Sequence, residues 1–310
     1  MKPGPFRYVS PTSVEQAVAT LREHADAKVL AGGQSLIPVL SMRLARPTHL
    51  VDLAGIPGLD QVEVSRDSVR VGALVRHAQL LSHDEAYAAL PLLRQALQSV
   101  AHPAIRNRGT TVGSIAHADP AGEMPSILLI TDGVVEAVGP DGRREIPAHE
   151  FFAGPLETTL AHDEIVEAVR FGRFPAGTHT AFLESARRHG DYALAGVAVA
   201  LTVDVMDQIA GARASFVSVT DVPTVLDLTT ELADRRPSEV DWSVIDEAVQ
   251  EHIAPETDIH ASADYRAMLA GELARRAFTE AASRVSEASP HGSAMQGSST
   301  EGTAREGSPA

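Results

Sequence analysis

The chain has 310 residues, 44 % of them hydrophobic and 22 % charged, with no cysteine and a formal net charge of −15. Such a length favours two domains, or one with a large appendage, and no apolar run approaches the roughly 18 residues that a membrane helix needs. Without cysteine there is no disulfide, no thiolate zinc site and no cysteine-ligated iron–sulfur cluster, and the acidic balance argues against nucleic acid as a partner.

The stretch Met1–Tyr8 lacks the apolar segment of a secretory signal, so cytoplasmic residence is expected. Val14, Val18, Leu21 and Ala25 then stand at helical spacing behind a Ser13…Gln16 capping box, which predicts a helix over 14–25. Lys28–Ala31 reads as a short buried strand running into Gly32-Gly33, and His49–Leu53 as a second strand, with the apolar run Leu36–Leu40 between them. A strand at Val69–Ala73 and a helix near Glu85–Val100, ended by His102-Pro103, open another block. The apolar segment Met124–Ile130, a strand over 133–138 and an Asp141-Gly142 hairpin turn follow. Pro175–Thr178 reads as a linker, beyond which come strands at Ala195–Val205 and Ala212–Val219 and helical patterns at Trp242–Ile253 and Ala263–Ser286. Residues 287–310 offer almost nothing to bury, which predicts a disordered tail. The expected fold class is α+β: a domain over 1–176 with subdomains about 1–55 and 56–176, then a C-terminal α+β domain over 177–286.

Two segments have the composition of binding loops. Ala31-Gly32-Gly33-Gln34-Ser35 follows a strand and precedes an apolar segment, a place where backbone amides can face a phosphate and Ser35 adds a hydroxyl. A tight turn with a serine N-cap explains the same residues. Arg106–Pro120 is a long run of small and polar residues in which Thr110, Thr111 and Ser114 offer hydroxyls and Gly113 a close-approach position. The alternative is a surface loop with capping Ser and Asp, with Arg106 and Arg108 as solvated charges. Neither segment matches the G-x-G-x-x-G fingerprint or the P-loop. The histidines show no metal-ligand spacing, so no metal site is expected, and Asp163-Glu164 reads as a solvated pair.

In this order and at this spacing, the two loops resemble the medium, FAD-binding subunit of the molybdenum hydroxylases, the carbon monoxide dehydrogenase and xanthine dehydrogenase family. The first is similar to that family's Ala-Gly-Gly-x-Ser loop, and the second to its Arg-x-x-Gly-Thr-Ile-Gly-Gly-Asn/Ser loop with Ala-Asp-Pro downstream. Arg187-Arg188-His189-Gly190-Asp191-Tyr192-Ala193 is similar to a third motif, and the likeness runs from about Lys2 to Ala277. The resemblance implies a two-part FAD-binding domain of the PCMH type, followed by a C-terminal antiparallel sheet with helices. It implies that Ala31, Gly32, Gly33, Gln34 and Ser35, with Thr110, Thr111, Val112, Gly113 and Ser114, bind the FAD diphosphate and adjoining groups. Asp119 and Glu123 then make polar contacts to the cofactor, and Tyr192 lies beside the isoalloxazine, the alternative being a core tyrosine at a strand start.

The resemblance also implies partners: a large molybdopterin-binding subunit and a small [2Fe-2S] subunit, in a dimer of heterotrimers. Electrons would pass from the iron–sulfur clusters through FAD to an external acceptor, with no catalytic acid or base on this chain. One position departs from the pattern. Val112 stands where the family usually has glycine, and a β-branched residue resists positive φ. That departure motivates a second reading, a flavin-free scaffold or nucleotide-binding module; a self-sufficient flavin oxidase is a third.

Overall fold

The structure, a computed structural model, describes residues 2–288. Its N-terminal part is a three-stranded parallel sheet in the order Arg7–Val9, His49–Asp52, Lys28–Leu30. Parallel strands require crossovers, and the helix Val14–Glu23 supplies the first, with Val14, Ala17, Val18 and Leu21 on its buried face. The Ser13 hydroxyl accepts from Gln16 N at 3.3 Å, and the Gln16 side chain accepts in turn from Thr12 N at 3.0 Å. The Ser13 half of the cap is as the sequence indicates, while Gln16 reaches Thr12 rather than the Ser13 N–H of a capping box, and the helix ends two residues before Ala25.

A five-stranded antiparallel sheet follows, in the order Val62–Val64, Ser68–Gly72, Ile165–Gly172, Val134–Gly139, Gly142–Pro147. The hairpin turn is made by Pro140 and Asp141, with Gly142 already paired to Gly139 as the first residue of the returning strand. The single helix expected near 85–100 is two, Asp84–Ala89 and Pro91–Ser99. Pro91 has no N–H for the preceding turn, so it breaks the first helix and starts the second. Pro103 acts in the same way, opening the short helix Pro103–Arg106 rather than closing the one before it. The apolar segment becomes the helix Glu123–Ile130, buried on every face.

The C-terminal part is a four-stranded antiparallel meander, Thr178–Ala186, Ala193–Val203, Ile209–Val217 and Val225–Asp227. The helix Ala263–Ala288 covers it through Leu273, Ala277 and Phe278, with Trp242 stacked on Phe278 at 5.1 Å between ring centroids. The Trp242–Ile253 pattern resolves into a 3-10 turn, Trp242–Ile245, and the helix Asp246–His252. The first strand of this sheet begins at Thr178, inside the expected linker. Of the expected tail, residues from 289 on lie outside the described residues, and 287 and 288 belong to the last helix.

The two parts are joined by specific polar contacts as well as apolar packing. Ser126 Oγ donates to Phe216 O at 2.7 Å, Ser218 N to Pro120 O at 2.9 Å, and Arg213 forks onto both oxygens of Asp132 at 2.6 and 2.7 Å. Among the described residues, no helix is long and apolar enough to cross a membrane.

Candidate functional site

The two glycine-bearing segments, far apart in sequence, touch. A Cβ placed on Gly32 would lie 2.6 Å from Arg108 O, 2.7 Å from Gly109 Cα and 2.8 Å from Thr110 N. Real Cβ atoms do not approach backbone so closely, so only glycine lets these loops meet. Gly33 adopts φ +71°, the left-handed region, and this reverses the chain from the strand Lys28–Leu30 into the helix Leu36–Ser41. Gln34 steadies the turn by donating from Nε2 to Gly32 O at 3.2 Å. Ser35 holds the position before that helix, yet its hydroxyl makes no cap hydrogen bond, so the capping role does not account for it. Among the described residues, the N–H groups of Gly33, Gln34 and Ser35 donate to no protein acceptor.

The second segment is not the open loop expected. Residues Thr111–His117 form a helix with Thr110 as N-cap, whose hydroxyl accepts from Gly113 N at 3.0 Å. Thr111 is fully buried, and its hydroxyl pairs with His77 Nδ1 at 3.2 Å. Both hydroxyls help shape the turn: Thr111 is enclosed against His77, while the Thr110 hydroxyl accepts from Gly113 N and keeps its own proton to donate. Burial, and then the Arg106 charge, push the His77 pKa down to about 4, so its imidazole is neutral near pH 7. Val112 is helical with negative φ and only 2 % exposed, its side chain in the N-terminal core. The backbone here asks nothing of glycine, and Val112 N–H, in the first helical turn, has no protein acceptor among the described residues. Gly113 sits beside Ala31: a Cβ on it would lie 4.0 Å from the Ala31 Cβ and 2.5 Å from the Thr110 hydroxyl. Ser114 lies one position further along, half-buried.

Three residues that sequence reasoning passed over hold this junction. Arg76 donates from Nη1 to Arg108 O, His77 N donates to Gly109 O at 3.0 Å, and Val75 O accepts from Thr111 N at 3.2 Å. They lie where the chain passes from the strand Ser68–Gly72 into the helix His77–Leu81, and nothing in the pattern Ala73–His77 marks it. Arg106 is not a solvated charge, since its guanidinium donates to Val100 O at 2.8 Å and Ala101 O at 2.7 Å. Glu164 is not solvated either: Arg144 meets it at 2.6 Å, and that bond holds its pKa below the usual carboxylate range.

The helix Thr111–His117 ends at Ala118 in the left-handed region, φ +53°, and delivers the chain to Asp119, whose carboxylate accepts from Ala121 N at 2.9 Å. Glu123, 9 % exposed, begins the buried helix. Burial first, then the charges of Glu184 and Asp119, push its pKa up to about 8, while burial pushes Glu184 to about 7. Near pH 7, Glu123 thus holds a proton and can donate a hydrogen bond. Tyr192 stands next to this acidic group, its phenol pKa raised by desolvation and by Asp119 and Glu123. At 70 % exposure it is no core tyrosine. The segment carrying it is seated by Gly190, φ +86°, where a Cβ would meet His102 Nδ1 at 2.6 Å and Ala101 O at 2.8 Å.

From end to end the arrangement offers unengaged backbone N–H groups on two adjoining turns, then the length of a two-turn helix, about 10 Å, then an acid–tyrosine wall. Those amides fit a diphosphate on a strongly acidic chain, because they provide positive potential without a lysine or arginine. The profile of the family described as the FAD binding domain in molybdopterin dehydrogenase matches residues 4–173, and that of the CO dehydrogenase flavoprotein C-terminal domain matches 180–281. The chain belongs to this FAD-binding family. It is 42 % identical over 291 residues to the nicotine 6-hydroxylase medium subunit of Paenarthrobacter nicotinovorans, covering 92 % of this chain and 100 % of that one. It superposes on the structure of carbon monoxide dehydrogenase from Hydrogenophaga pseudoflava with a TM-score of 0.85 at 34 % identity, covering 92 % of this chain and 99 % of that chain. Quinoline 2-oxidoreductase from Pseudomonas putida 86 gives 0.86 at 33 %, covering 92 % and 99 %. As a molybdopterin-dehydrogenase flavoprotein, the chain is a subunit of an oxidoreductase with FAD as its cofactor.

Proposed function

We propose that this chain is the cytoplasmic electron-transfer subunit of a molybdenum hydroxylase-type dehydrogenase, working with a large molybdopterin-binding subunit and a small [2Fe-2S] subunit in a dimer of heterotrimers. In this reading electrons arrive from the clusters of the small chain and leave to an external acceptor. FAD, when bound, supplies the redox chemistry, and the protein supplies binding, orientation and electrostatics. The observation that supports the reading is the contact of Gly32 with Arg108–Thr110, which joins two turns whose Gly33, Gln34, Ser35 and Val112 N–H groups have no protein acceptor among the described residues.

Each residue's part follows from its setting. Ala31, Gly32, Gly33, Gln34 and Ser35 form the first half of the diphosphate grip, with the Ser35 hydroxyl as a further donor. Thr110, Thr111, Val112, Gly113 and Ser114 form the second half: Thr110 and Thr111 by fixing the turn, Val112 through its N–H, Gly113 by its close fit to the Thr110 hydroxyl, and Ser114 by its hydroxyl. Protonated Glu123 donates to a polar group of the cofactor, with Asp119 beside it as an acceptor. The Tyr192 ring shields one face of the isoalloxazine. The chain has no cysteine and hence no cysteine-ligated cluster of its own, and in this reading the reducing equivalents come from a partner.

The test is anaerobic reduction of the bound flavin. Loss of its visible absorbance is expected when substrate is added to the assembled complex, and no change when the same substrate is added to this chain alone. Turnover by the isolated chain would show a self-sufficient oxidase instead.

A further inference from the structure

The segment Arg187–Leu194, which carries Tyr192, is fastened at both ends to one structure far away in the chain. Arg266, in the first turns of the helix Ala263–Ala288, is 6 % exposed. Its Nη1 donates to Leu194 O at 2.6 Å and reaches Ser218 O at 3.5 Å, while its Nη2 meets Asp258 Oδ2 at 2.8 Å. The other oxygen of Asp258 accepts from His260 N at 2.8 Å and Ala261 N at 2.9 Å, closing a turn whose His260 carbonyl accepts from Arg187 Nη2 at 2.9 Å. Arg187 thus ties down the start of the Tyr192 segment and Arg266 its end.

The same cation reaches a second wall. Ser218, whose carbonyl faces Arg266, takes φ +65° and donates from its N–H to Pro120 O at 2.9 Å. Pro120 lies between Asp119 and Glu123, just beyond Ala118 with its own left-handed backbone. Ala118 and Ser218, non-glycine residues in the left-handed region on either side of this contact, persist only where the surroundings over-determine them. A buried guanidinium binding two strand-end carbonyls and one carboxylate gives that rigidity, because its planar fork fixes direction as well as distance.

Resting on the proposed FAD site, we infer that Arg266, together with Asp258 and Arg187, is a positioning unit for the flavin end of that site, setting the Tyr192 segment and the Asp119–Glu123 turn relative to each other. The diphosphate grip is built from other elements and does not depend on it.

The test uses the full chain loaded with FAD and two variants. Arg266→Met removes the buried fork. Arg187→Gln removes only the exposed residue's bond to His260 O, so folding is retained whatever happens in the first. Each is read by FAD affinity and by the visible circular dichroism of the bound flavin, which reports how the isoalloxazine is held, with the melting temperature as a control. Arg266→Met, which loses the bonds to Leu194 O, Ser218 O and Asp258, is expected to weaken FAD binding by about tenfold through the displaced flavin end, an effect the size of one charge-assisted hydrogen bond. Arg187→Gln is expected to change the dichroism at an unchanged melting temperature. Wild-type dichroism in folded Arg187→Gln, together with unchanged affinity in Arg266→Met or a fall no larger than its lost folded fraction, overturns the inference. If the wild-type chain itself takes up no FAD, the proposed site fails rather than the positioning unit.

Discussion

Replacing Gly32 with alanine is expected to strip the chain of FAD and to destabilise it by about 1–3 kcal/mol, the usual cost of forcing a methyl into filled space. The added Cβ would fall within 2.6–2.8 Å of three backbone atoms of Arg108, Gly109 and Thr110. None of these is the yielding end of a side chain. Arg108 O also accepts from Arg76, while Gly109 O and Thr111 N are tied to His77 and Val75, so the second segment is held from behind and cannot retreat freely. The first segment must move instead, carrying the amides of Gly33–Ser35 away from Val112. The check is the flavin-to-protein ratio of the purified variant beside its melting temperature. Stoichiometric FAD in Gly32→Ala would contradict the assignment of the two turns to one grip.

The second large effect is expected at Val112, with the opposite split between stability and binding. Its side chain packs in the N-terminal core, so Val112→Gly removes buried methyl groups and adds a flexible residue to a helix. Together these cost about 2–4 kcal/mol. The backbone N–H remains, and glycine takes helical angles readily, so FAD stoichiometry at low temperature is expected to stay at the wild-type value while the melting temperature falls. Loss of FAD from fully folded Val112→Gly would show that the valine side chain is itself part of the cofactor contact.

Much of the fold was legible because its signals are local. Ser13 caps the first helix as the sequence indicates, and the apolar alternation of the second and third C-terminal strands marks both. The failures are where tertiary context overrides local pattern. Residues Thr111–His117 look like a loop, being small and polar, yet the Thr110 cap and burial of Thr111, Val112 and Ile115 make them a helix. The strand Thr178–Ala186 mixes His179, Thr180 and Glu184 with apolar residues and gains its identity only from pairing with Ala193–Val203. Pro103 was read as ending a helix but opens one, and Pro91, inside the single helix expected near 85–100, divides it in two.

At the site, the residue types of both turns were legible, and their contact was not. That contact depends on Arg76 and His77, which no motif marks, and on the missing side chain of Gly32 facing a backbone met only after folding. Glu123 was visible as a carboxylate, but its protonation follows from burial beside Glu184, which sits in the unforeseen strand.

The most direct measurement is a titration of the flavin-free full chain with FAD and, separately, with riboflavin, which has the same isoalloxazine and ribityl chain but no diphosphate. If the two turns grip the diphosphate, FAD saturates the chain at one equivalent with a shifted visible spectrum, and riboflavin at the same concentrations produces no shift. Equal binding of the two would contradict it.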